Sequence, residues 1–153
     1  MGKRKTCMVR QTTRLEASAE RVWQTLLQVS TFFYVTRGLL GYGIAVRPEE
    51  TFAEGRVFRG RLWFGNVVPG WLHQLQVNQI DGARHEITTC ESGGPLRVWK
   101  HRLMVEPESA GSCWYTDEIE FDAGRLTLPT WIVVQAFFRY RQARWRKLAR
   151  QIG

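Results

Sequence analysis

The sequence predicts an α+β domain in which a curved antiparallel sheet lays its apolar face against one long C-terminal helix. Three observations lead there. The order is strand, two short helical segments, a run of strands and one long helix, which separates helices from strands instead of alternating them. From Tyr42 to Phe121 apolar and polar residues alternate between turn signals, the period of half-buried strands. From Leu128 to Gln151 the spacing is helical, opened by Pro129 at a position where its missing N–H costs nothing. The two halves of this helix differ in kind. Trp131, Ile132, Val133, Val134, Ala136, Phe137 and Phe138 make the first apolar on nearly every side, so it is expected to be enclosed and to roof the space above the sheet. Arg139, Arg141, Arg144, Arg146, Lys147 and Arg150 make the second basic, with one stripe left through Phe137, Arg141, Trp145, Leu148 and Ile152. That half is expected to emerge into solvent as an anchor or lid hinge.

The elements follow in order. Residues 5–16 are rich in β-branched side chains and read as a first, half-exposed strand. Ser18 is a suitable N-cap, although Arg21 leaves the capping box incomplete, and Val22, Trp23, Leu26, Leu27 and Val29 form a helical stripe. Thr31 to Leu40 reads as a second short helix, closed by Gly41 and Gly43. Strands are then expected at 44–47, 56–64, 70–80, 85–91, 96–106 and 113–121. The breaks between them fall at Pro48-Glu49-Glu50, Asn66 to Pro69, Asp81-Gly82, Ser92 to Pro95 and Pro107 to Gly111. With the first strand this makes seven. No repeat or linker divides residues 1–153, which read as one domain.

Composition narrows the function classes. A chain of 153 residues buries roughly 70% of its unfolded surface and needs no staples. Seven Trp and eight Phe are many for this length, and large rings line ligand cavities as readily as cores. The formal charge of +8 would attract nucleic acid or anionic lipid, but much of it sits in Met-Gly-Lys-Arg-Lys and along the last helix. A solvated basic face explains it, so nucleic acid is not expected as a partner and an anionic membrane surface at most as a weak one. Cys7, Cys90 and Cys113 are odd in number and widely spaced, which reads as reduced thiols in a cytoplasmic protein, without disulfide framework or zinc site. No run approaches the length of a membrane span and no signal peptide is expected. Met1-Gly2 with Thr6 formally matches a myristoylation pattern of a kind common by chance.

Four stretches together resemble a known superfamily. These are Ala17 to Trp23 after the first strand, Gly94 to Leu103, Thr116 to Phe121, and Tyr140 to Leu148. In order and spacing they are similar to the SRPBCC superfamily, the START and Bet v 1-like helix-grip proteins, and within it to the polyketide cyclase/dehydrase and lipid-transport branch. The resemblance implies a seven-stranded sheet gripping the C-terminal helix around a deep apolar cavity, and binding of hydrophobic small molecules, with cyclase or hydrolase activity in some members. That superfamily shares a cavity and no common catalytic set, so no active-site residue is carried over.

Strand alternation sorts candidates for the interior. Trp99, His101, Leu103 and Val105 should face inward, as should Tyr115, Asp117, Ile119 and Phe121, and Trp71, His73, Leu75 and Val77. If the turn before Cys113 pairs Glu106 with Ser112, His101 lies directly opposite Asp117, close enough to bond. The pair is either an oriented general base or a self-satisfying buried polar pair. His85 is expected to be exposed, and three dispersed histidines do not suggest a metal. No phosphate loop, nucleophile signature or paired-carboxylate motif is present, and no cofactor is expected. Trp63, Phe64, Trp99, Tyr115, Trp131 and Phe138 are the aromatic candidates for the cavity wall, joined by Val134 on the helix. The expected function is binding of a hydrophobic small molecule, a lipid, polyketide-like or aromatic compound. Its alternatives are a cyclase/dehydrase-type enzyme using His101 with Asp117, and membrane-surface or nucleic-acid association through the basic helix end.

Overall fold

The computed structural model describes residues 6–44, 46–47 and 49–153. β1 (Cys7–Leu15) is followed by α1 (Ala19–Leu26), α2 (Val29–Thr36), β2 (Leu40–Tyr42), β3 (Val57–Phe64), β4 (Val68–Asp81) and β5 (Glu86–Ser92). β6 (Val98–Ser109), β7 (Ser112–Asp122), a 3₁₀ turn at Gly124–Leu126 and α3 (Thr127–Ile152) complete the chain. The strands form one antiparallel sheet in the order β1-β7-β6-β5-β4-β3-β2, so the first strand pairs with the last. This is the helix-grip arrangement, a curled sheet holding one long helix with two short helices after strand one.

Local chemistry explains the element ends. The Ser18 hydroxyl accepts from the Arg21 backbone N–H at 3.3 Å, capping α1, whose buried face is Ala19, Val22, Trp23 and Leu26. The second helix stops at Thr36, four residues short of Leu40, and Gly38 follows at φ +96°, a backbone that a side chain would strain. The strand expected at 44–47 forms instead at Leu40–Tyr42, against β3. Gly43 still donates to the Arg61 carbonyl at 2.8 Å, after which the chain departs. Ala45 and Pro48, with the break expected there, lie outside the described residues, as do the myristoylation pattern at Met1-Gly2 and the start of the first strand at Lys5.

The long helix reverses the expectation for its halves. Its buried residues are Val134, Phe138, Arg141, Gln142, Trp145 and Ala149, four of them in the basic half. Leu128, Ile132 and Val133 are 72%, 60% and 65% exposed. Placement decides this: α3 lies along β1 and β7, and it is its C-terminal half that meets α1 and α2, through Ile152 with Arg21, Arg141 with Phe32 and Arg144 with Tyr34. The main core accordingly joins Leu15, Trp23, Leu26, Val35, Leu75 and Trp145, whereas Val134 and Phe138 belong to a smaller cluster with Val9, Ile119 and Phe121.

Candidate functional site

A fully buried polar cluster sits where β6 and β7 face α3. Alternation along β7 turns Tyr115, Asp117, Ile119 and Phe121 into the interior, all 0% exposed, and along β6 buries His101, Leu103 and Val105. The cross-strand register differs from expectation. The hairpin closes tightly at Ser109↔Ser112, with a bulge after Pro107, so Asp117 faces Leu103 and His101 faces Ile119. The two side chains nevertheless meet on the diagonal, with His101 Nε2 2.9 Å from Asp117 Oδ1. Tyr115 Oη donates to the same oxygen at 2.9 Å, and Gln142 Nε2 donates to Oδ2 at 3.3 Å and to the Gln11 carbonyl at 2.7 Å. Arg141 completes the group: its Nη2 lies 3.4 Å from the Tyr115 oxygen and its Nε 3.9 Å from Asp117 Oδ1. Its guanidinium also stands over the rings of Phe32 and Phe138, at 5.8 and 5.6 Å.

These contacts fix the charge state. Burial works to raise the pKa of Asp117, but the Arg141 charge and the bonds from His101 and Tyr115 outweigh it and hold the carboxyl below its usual range. Burial drives the Tyr115 hydroxyl well above its ordinary value, so it remains a donor. Burial works against the charge on Arg141, but its neighbours Tyr115 and Asp117 keep the guanidinium protonated with a raised pKa. The cluster is therefore an ion pair dressed with three further polar side chains.

A second polar unit lines the neighbouring wall. Trp71 Nε1 donates to His73 Nδ1 at 3.3 Å, which leaves Nε2 as the proton-bearing nitrogen, 2.7 Å from Glu91 Oε2. Tyr42 stands beside it, its ring 6.2 Å from His73, and burial followed by the Glu91 charge raises its pKa. His85, expected to be exposed, instead stacks on Trp23 at 5.2 Å and lies 3.3 Å from Glu20. Among the described residues no group of His, Cys, Asp or Glu could hold a metal ion, and no helix is long and apolar enough to cross a membrane.

The interior cavity beside the cluster is small, about 30 Å³, room for about two waters. It lies under α2 and the C-terminal half of α3, walled by Phe32, Val35, Leu75, Leu103, Arg141 and Trp145 among others. Of the residues singled out in the sequence, His101 lines it, with Tyr115 and Asp117 immediately behind. Apart from Tyr115 and Phe138, which touch the His101–Asp117–Arg141 cluster, the aromatic set expected to form the wall is elsewhere. Leu62, and not Trp63, takes the buried position at the end of β3, Phe64 is 38% exposed, and His73 opens on a separate crevice with Tyr42. Trp99, Val134 and Phe138 pack together above the ends of β1 and β7, and Trp131 is 38% exposed on the surface. Sequence reasoning passed over Arg141, Gln142 and Glu91. The signal for Arg141 was present, because a cation within an otherwise apolar helical stripe must be buried or must break the stripe.

Residues 13–151 match the family described as Domain of unknown function (DUF8410). The chain belongs to that family. No curated protein matches it. Among solved structures it is similar to norcoclaurine synthase from Thalictrum flavum in complex with dopamine and hydroxybenzaldehyde, at 13% identity over 97% of this chain and 89% of that one, with a TM-score of 0.72. It is similar to a START superfamily protein from Mycobacterium smegmatis, at 14% identity over 95% and 99%, TM-score 0.68. It is also similar to the Zhui aromatase/cyclase from Streptomyces sp. R1128, at 14% identity over 95% and 92%, TM-score 0.65. The chain thus shares the START/Bet v 1-like helix-grip fold of these structures.

Proposed function

We propose that this DUF8410 protein binds a hydrophobic small molecule between the sheet and the C-terminal half of α3, with His101, Tyr115, Asp117 and Arg141 orienting its polar end. One observation carries the reading: a buried, ionised polar cluster stands on the wall of an otherwise apolar cavity, where packing alone would favour apolar residues of the same volume. Similar folds whose names include an aromatase/cyclase and a complex with dopamine and hydroxybenzaldehyde support it. A ligand larger than a few atoms needs more room, and α2 is the element to supply it. α2 is one short helix with no side-chain N-cap, held to α3 by the Arg144 bonds to the Tyr34 carbonyl and by Tyr140 to the Arg37 carbonyl. Three unpaired cysteines support a cytoplasmic setting. Native mass spectrometry of freshly purified protein should show an added mass released on denaturation, reduced in Ile87→Phe, which fills the cavity. An apo mass throughout, together with no thermal shift from small aromatic compounds, would refute the reading.

The His101–Asp117 bond favours acid/base chemistry of the cyclase or dehydrase kind on such a ligand, since a carboxylate orients the imidazole and raises its basicity. His101→Ala should then abolish turnover while binding persists. The outward face of α3 favours a membrane-surface role: Leu128, Ile132 and Val133 continue into Arg139, Arg146, Lys147 and Arg150, all exposed, on a helix without an acidic residue. Vesicles containing phosphatidylglycerol should retain the protein at low salt, and Ile132→Ser with Val133→Ser should release it. Retention by DNA alone would favour the nucleic-acid alternative.

A further inference from the structure

We propose that the polar end of the ligand is an uncharged oxygen acceptor, the carbonyl of a ketone, aldehyde or ester, held by the Arg141 Nε–H, the Trp145 Nε1–H and the Thr89 hydroxyl. The inference rests on the ligand-binding reading above and names the chemistry of that site.

Four buried side-chain polar atoms among the described residues have no hydrogen-bond partner: Thr89 Oγ1, Trp99 Nε1, Arg141 Nε and Trp145 Nε1. Three of the four residues line the one small cavity beside the His101–Asp117 pair. Native interiors leave few such atoms unpaired, so three gathered at one cavity point to a partner that enters it. Each side chain is more than nine-tenths buried, at 7%, 4% and 0% exposure for Thr89, Arg141 and Trp145. Position brings them together. Arg141 and Trp145 are four residues apart on α3, on one face a single turn from each other. Thr89 lies across from them on β5, opposite His101 in the sheet register.

The chemistry of the three atoms selects the ligand. Two are N–H groups that can only donate, and the hydroxyl can donate, so the missing partner is an acceptor. It need not bring charge. Asp117 already neutralises Arg141, and its own oxygens are occupied by His101, Tyr115 and Gln142. Glu91 adds a second carboxylate to the cavity wall, two residues beyond Thr89 on the same face of β5. The field in the cavity therefore disfavours an incoming carboxylate, while an uncharged carbonyl oxygen accepts from the waiting donors without opposing Glu91.

A matched set of small aromatic probes tests this: acetophenone, ethylbenzene and benzoate, titrated into the full chain by isothermal calorimetry or by protein-observed NMR. Acetophenone should bind about tenfold or more tightly than ethylbenzene, and benzoate more weakly than acetophenone. Thr89→Val removes one donor at nearly constant shape and should bring acetophenone down toward ethylbenzene while leaving ethylbenzene unchanged. Trp145→Phe removes another donor but also enlarges the cavity, so its readout is the acetophenone-to-ethylbenzene affinity ratio, which should fall toward one. Thr89→Val keeps the test sound if Trp145→Phe does not fold. Equal affinity for acetophenone and ethylbenzene, or variants that weaken both alike, would overturn the acceptor site and leave the ligand-binding reading standing. Preference for benzoate would overturn the assignment of an uncharged ligand. Failure of all three probes to bind would overturn both the acceptor site and the ligand-binding reading.

Discussion

The two halves of α3 share one helix and one sheet, yet they differ in what surrounds them. The first half carries more apolar side chains and is the more exposed; the second carries six cations and is the more deeply packed. Composition therefore does not decide burial along this helix. The neighbours do: where α1 and α2 close the other flank, Arg141 and Gln142 are buried with partners, and where none of the described residues covers it, Ile132 and Val133 face outward. Cations survive in the buried half because only Arg141 among them turns fully inward and meets Asp117, while Arg146, Lys147 and Arg150 stay exposed. The same contrast places the cavity under the basic half.

The strongest way to break this comparison is to truncate apolar residues in each half. Trp145→Ala should cost about 3–5 kcal/mol in urea unfolding, whereas Ile132→Ala and Val133→Ala should stay within about 0.5 kcal/mol of the parent. Similar costs for the two would mean that the apolar half is covered in solution. Asp117→Asn should cost about 3 kcal/mol because it strands a buried guanidinium; a neutral result would show that Arg141 turns out to solvent. Val134→Ala, at the inward edge of the first half, should cost about 1–2 kcal/mol.

Acid tests the ion pair without mutation. Asp117 holds its proton less readily when folded than at its ordinary value of 3.8. Its contribution to stability is thus fully present above that value and is lost as pH falls through the lower folded one. The urea midpoint should therefore drop in that acid range in the parent, and drop less there in Asp117→Asn; identical acid profiles would remove Asp117 as the cause. The smallest effect is expected at Arg150 and Glu16, paired at 3.4 Å with both side chains more than 60% exposed. Arg150→Ala should change stability by less than about 1 kcal/mol.

Much of the fold was legible because alternation and helical spacing are local signals. The inward sets on β4, β6 and β7 follow directly from period two, and His73, His101 and Asp117 are buried as those sets require. What was not legible depends on distant geometry. A two-residue turn at Ala110-Gly111 shifts the β6–β7 register by two, and nothing in Pro107 to Ser112 distinguishes it from a longer loop. Whether an apolar helix half is enclosed depends on where α1 and α2 dock, which the residues of α3 do not encode. The aromatic wall was misplaced in part for the same reason, since Trp131 was assigned to a roof that lies toward the other end of the helix from the cavity, while Phe138 reaches only the His101 and Arg141 that line it.

The pairing of β1 with β7 bears on how the chain reaches this structure. Arg10 and Glu118 bond across the sheet although they are 108 residues apart in sequence. A ribosome adding residues one at a time releases β1 long before its partner strand β7 exists, and the strand must wait unpaired, with Val9 and Leu15 exposed, until Cys113 to Phe121 emerge. Closing so long a loop is slow, and the sheet should nucleate from the sequential hairpins of β3 to β7 and accept its first strand late.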